Sequence, residues 1–67
     1  MEAKEIATIK FSSFGPENEG IAVIRKVDKN IAICLSLKEG GDAEVIVSPT
    51  ECQELIQALR KALEDVK

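Results

Sequence analysis

The sequence predicts an α+β domain: a four-stranded antiparallel meander followed by one C-terminal helix packed on one sheet face, ββββα in two layers. Three observations lead there. Apolar residues favour a period of two up to residue 48 and a period near 3.6 beyond it. The junction Ser48-Pro49-Thr50-Glu51 reads as a helix start: Ser48 can cap, Pro49 suits the first helical position, and Glu51 completes the S-x-x-E box. The segments joining the apolar runs are too short for a parallel crossover, so the strands must alternate in direction.

The first strand is expected over residues 4–11, where Ala7, Ile9 and Phe11 fall on one side and Ile6, Thr8 and Lys10 on the other. Residues 12–20 break the pattern with Ser, Gly, Pro and Asn and read as a loop, with Phe14 as its large apolar residue. Phe14 is either an exposed recognition tip or, the expectation adopted here, a ring folded back over one end of the core. Residues 21–27 and 31–37 form the next two runs. Between them Asp28-Lys29-Asn30 predicts a three-residue hairpin loop with a bulge, Asn30 taking the left-handed conformation. Residues 38–42 make a second turn into a fourth strand over 43–48.

From Pro49 onward Cys52, Leu55, Ile56, Leu59, Ala62, Leu63 and Val66 recur at i, i+3, i+4, i+7 spacing, with charged and amide residues on the remaining face. Such a stripe is expected to be covered by the sheet of the same chain. Strand parity places Ile31, Ile33, Leu35 and Leu37 on one side. Ile21, Val23 and Val27, and Val45 and Val47, are assigned to the same side, beneath the helix. The other side then carries Ala22, Ile24, Ala32, Cys34, Ser36 and Ile46, with Ile6 and Thr8. It is apolar for a solvent-facing surface, and such patches mark interaction sites.

Sixty-seven residues make a single domain, 1–67. A chain this short buries only roughly 60% of the surface its unfolded form exposes, and domains of this size lean on disulfides, a metal or a second subunit. With no His and two Cys, a structural zinc site is not expected, nor is any cofactor. Cys34 and Cys52 lack the CxxC spacing, and the parity assignment turns Cys34 away from the helix, so no disulfide between them is expected. Cys52 lies in the first helical turn, where amide dipoles can activate a thiol. It also belongs to the apolar stripe, and a structural thiol is the expectation. Met1-Glu2-Ala3-Lys4 does not read as a signal peptide, and no apolar run approaches the ~20 residues of a membrane span. A cytoplasmic location follows as an expectation.

Nine basic and twelve acidic side chains give a net charge of −3, without broad attraction to phosphate backbones or anionic lipid. Topology gathers Arg25, Lys26 and Lys29 at the end where the helix starts, an arrangement that could hold an anion. Glu17, Glu19, Glu39, Asp42 and Glu44 fall at the other end, where they could imitate an acidic ligand of a basic protein. With no His, no Tyr, no nucleophile motif and no phosphate-binding glycine loop, an enzyme is not expected.

The leading expectation is a non-enzymatic protein-interaction module, a homodimer paired through the exposed sheet face or a sheet edge, with Ala22, Ile24, Ala32, Cys34 and Ile46 at the contact. The alternative comes from a resemblance. Four antiparallel strands followed by one helix, entered through Ser48-Pro49 and running to Leu55, resemble the positive-cofactor type of single-stranded-DNA-binding transcriptional coactivators. The resemblance implies a single-stranded nucleic-acid-binding protein, with Arg25, Lys26, Lys29 and Lys10 as the contacting charges. Stacking aromatics on the sheet and a continuous basic groove, which that chemistry uses, are absent from the sequence pattern.

Overall fold

A computed structural model describes residues 3–67. Strand β1 spans Ala3–Phe11, β2 Gly20–Val27, β3 Asn30–Leu37 and β4 Asp42–Val47, and helix α1 spans Pro49–Asp65. The strands form one open antiparallel sheet in the order β1-β2-β3-β4, and α1 contacts it at β3 and β4. The architecture is the ββββα of the α+β class that the sequence pattern predicts. No helix among the described residues is long and apolar enough to cross a membrane.

Each connection has a local cause. The loop after β1 contains a single 3-10 turn, Pro16–Asn18, entered through Gly15 at φ 89°, a conformation that costs glycine nothing. Its end is tied to the β3–β4 turn: the Lys38 amide donates to the Glu19 carbonyl at 2.9 Å, and Lys38 Nζ meets Glu19 Oε2 at 3.1 Å. Gly20 opens β2 because nothing else fits, a Cβ there standing 2.4 Å from the Ser36 carbonyl oxygen. At the helix start both halves of the capping box form, Ser48 Oγ accepting from the Glu51 amide at 3.2 Å and Glu51 Oε1 from the Ser48 amide at 2.9 Å.

The β2–β3 hairpin is tighter than its sequence suggests. Val27 pairs with Asn30, so only Asp28 and Lys29 lie in the loop, and Asp28 rather than Asn30 takes the positive φ, 55°. That one-residue difference decides the faces. A three-residue loop would set Val27 opposite Ile31 and place Ile21 and Val23 beside Leu37 and Leu35. The observed register instead pairs Ala22 with Leu35 and Ile24 with Ile33, and a slip of one residue turns every side chain of a strand over. The parity assigned to β2 from the sequence is therefore reversed.

Directly opposed residues share a face, which defines two surfaces. One is apolar: Ala7, Ile9 and Phe11 of β1, Gly20, Ala22 and Ile24 of β2, Ile31, Ile33, Leu35 and Leu37 of β3, and Ala43, Val45 and Val47 of β4. Lys4 and Lys26 face each other across its hairpin end. The other face is mixed, with Thr8, Lys10, Ile21, Val23, Arg25, Ala32, Cys34, Ser36, Asp42, Glu44 and Ile46. A register shift between Glu5 and Ala7 sets Ile6 out of the pairing and brings Glu5 to the mixed face, where it accepts a hydrogen bond from Thr8 Oγ1 at 2.9 Å.

The core is slight. Among the described residues the buried apolar side chains are Ala22 and Ala32, one on each face, at 6% and 1% exposure, and no large side chain is fully buried. The sheet covers the helix stripe only in part. Although α1 meets β3 and β4, no residue of the helix is buried, and Leu55, Ile56, Leu59, Leu63 and Val66 all remain exposed. A compact chain of this length has a radius of gyration of about 11 Å, and this one measures 13.4 Å.

Candidate interaction surface

The helix supplies half of the candidate surface. Leu55, Leu59 and Leu63 stand at i, i+4, i+8 and form a continuous ridge along α1, flanked by Ile56 and Val66. Leu59, in its middle, is 61% exposed. The apolar sheet face supplies the other half: Ile9, Phe11, Leu35, Leu37 and Val45 are all about half exposed. An isolated Leu on a surface needs no explanation, but two contiguous apolar surfaces on so small a chain do.

On the mixed face polar side chains pair with one another across the strands. Across β2, β3 and β4, Arg25 Nη2 donates to Cys34 Sγ at 3.0 Å, the thiol donates to Glu44 Oε2 at 2.9 Å, and Arg25 is hydrogen-bonded and ion-paired directly to the same carboxylate oxygen. Ser36 Oγ donates to Asp42 Oδ1 at 2.7 Å one pair further along. The hydrogen bonds from Cys34 and Arg25 hold the Glu44 carboxyl below its usual range. Donating to Glu44, together with partial desolvation, pushes the Cys34 thiol up, so this cysteine is kept in its less nucleophilic, protonated form. Attraction to Cys34 once its thiol has ionised, and the bond to Glu44, raise Arg25 further. Arg25 Nε is enclosed without a hydrogen-bond partner.

The residues singled out from the sequence are distributed accordingly. Of the five proposed contact residues, Ala22 and Ile24 lie on the apolar face, whereas Ala32, Cys34 and Ile46 lie on the mixed face, so they do not form one surface. Arg25, Lys26 and Lys29 do not converge: Arg25 is turned to Glu44, Lys26 belongs to the opposite face, and Lys29 sits in the hairpin loop. At the helix start the Glu51 carboxylate takes the Ser48 amide and Ser48 Oγ takes the Glu51 amide, which sets a negative charge where an anion would have to sit. Phe14 does not fold back over the core; the residue is 81% exposed, with its carbonyl accepting from Asn18 Nδ2 at 3.2 Å. Cys52 is half-buried in the first helical turn, and both cysteines are free thiols. The leucine ridge was visible in the sequence as an amphipathic stripe, but periodicity cannot say which chain covers it.

Comparison of the chain with protein-family models, with curated proteins and with solved structures finds no match.

Proposed function

We propose that this chain is a non-enzymatic protein-interaction module that works as a homodimer. The observation that carries the reading is area. A compact chain of 7.3 kDa exposes roughly 4,200 Å², whereas this one exposes 5559 Å². The surplus of about 1,400 Å² exceeds the roughly 800 Å² that each partner contributes to a standard stable interface, and fits an obligate one. The exposed leucine ridge and the half-exposed side chains of the apolar sheet face contribute to it. That Ala22 and Ala32 are the buried apolar side chains among the described residues supports the same reading, since a chain of this size whose cysteines are free draws its missing burial from a second subunit.

Sedimentation equilibrium tests the proposal. The expected result is twice the chain mass at micromolar concentration, with a urea midpoint that rises as the protein is concentrated. A strict monomer at high micromolar concentration, with a midpoint independent of concentration, overturns it.

A further inference from the structure

The apolar sheet face has relief. Register sets Phe11, Gly20 and Leu37 in one row and Ile9, Ala22 and Leu35 in the next. In both rows β2 contributes only a hydrogen or a methyl, between large side chains on β1 and β3. The result is a notch floored by Gly20 and Ala22 and closed at its inner end by Ile24 and Ile33 in the following row. The accessibilities describe the same shape, Ala22 being buried while Ile9 and Leu35 beside it are half exposed. The floor at Gly20 is fixed by its close approach to Ser36.

The walls stand on strands about 9.6 Å apart, two strand spacings, and successive rows are about 6.7 Å apart. An α-helix packs at 8–10 Å from its neighbour and presents residues i and i+4 about 6 Å apart along its axis. The Leu55/Leu59/Leu63 ridge therefore has the step and width to lie over this floor. Within one chain neither covers the other, since the ridge and the notch walls all remain exposed. Pairing helix with helix would leave the sheet face open, and pairing sheet with sheet would leave the ridge open. Only a reciprocal exchange covers both, and a two-fold axis supplies it, residue i contacting j while j contacts i.

We infer that in the dimer the leucine ridge of each copy seats in the Gly20/Ala22 notch of the other. The inference rests on the dimer proposed above and adds its geometry.

Complementation between two variants tests it. Ala22→Phe fills the notch and leaves the ridge intact; Leu59→Asp spoils the ridge and leaves the notch intact. Each alone is expected to weaken self-association at least about tenfold. Mixed in equal amounts, they retain one intact ridge-and-notch contact, and native mass spectrometry is expected to show the heterodimer in excess of either homodimer. The mixture decides the matter even if each variant alone fails to fold, because circular dichroism then returns on mixing. Wild-type dimers with either variant associating as tightly as wild type, or with a mixture that forms no excess heterodimer, overturn the seating and leave the dimer standing. Wild-type protein that is monomeric at high micromolar concentration removes both.

Discussion

The two faces of the sheet solve opposite problems with the same four strands. The mixed face carries charges and hydroxyls, and they find one another across the strands: Arg25 with Cys34 and Glu44, Ser36 with Asp42, Thr8 with Glu5. The apolar face carries Ile, Leu, Val and Phe, of which Ile9, Phe11, Leu35, Leu37 and Val45 stay about half exposed. Hydrogen-bonding groups can be satisfied within a sheet by their nearest neighbours, because the interaction is directional and short. Apolar area can be removed from water only by another layer, and α1 stays too open to provide it.

The contrast can be broken most severely at Gly20. Gly20→Ala forces a methyl to within 2.4 Å of the Ser36 carbonyl oxygen, against backbone that cannot swing aside. A loss of about 2 kcal/mol or more in chemical denaturation is expected; an unchanged midpoint would show that β2 and β3 part there easily. The sharper test uses neighbours. Val45 and Ile46 are consecutive on β4, 54% and 56% exposed, and lie on opposite faces. Val45→Glu is expected to weaken self-association about tenfold and Ile46→Glu to leave it unchanged. Equal effects in sedimentation would erase the functional distinction between the faces.

The smallest effect concerns the mixed face alone. Glu44 titrates below its usual range in the folded chain, so its contribution to stability is present above the carboxylate value of the unfolded chain and is lost as pH falls through the depressed folded value. Cys34 has the opposite sign: raised on folding, it contributes below the ordinary thiol value and loses that contribution as pH rises through its folded value. Glu44→Ala removes the acceptor that most favours the protonated thiol. Faster iodoacetamide alkylation of Cys34 at mildly alkaline pH is the expected outcome, measured by peptide mass spectrometry, and an unchanged rate would assign the raised value to burial instead.

Much of this was legible in the residues. The Ser48/Glu51 box, the change of apolar period at the junction and the short connectors fix the order and kind of every main element. What the residues left open was the facing of β2. Ile21, Ala22, Val23 and Ile24 are apolar at four consecutive positions, so a period of two selects neither side. The choice falls to the hairpin, where Asp28 and Asn30 both tolerate positive φ and their loops differ by one residue. The proposed interaction surface was hidden for a different reason. A stripe such as Leu55/Leu59/Leu63 announces that it will be covered, and nothing in its spacing distinguishes a sheet in the same chain from one in another molecule.

The two-alanine interior carries a consequence for the proposed dimer in the cell. A subunit that completes its hydrophobic layer from a twin draws its folding free energy from abundance, so dilution acts on it as a denaturant. In such a dimer, newly made chains below the association threshold would stay open to proteases and accumulation would make the protein longer-lived, a dependence of survival on supply.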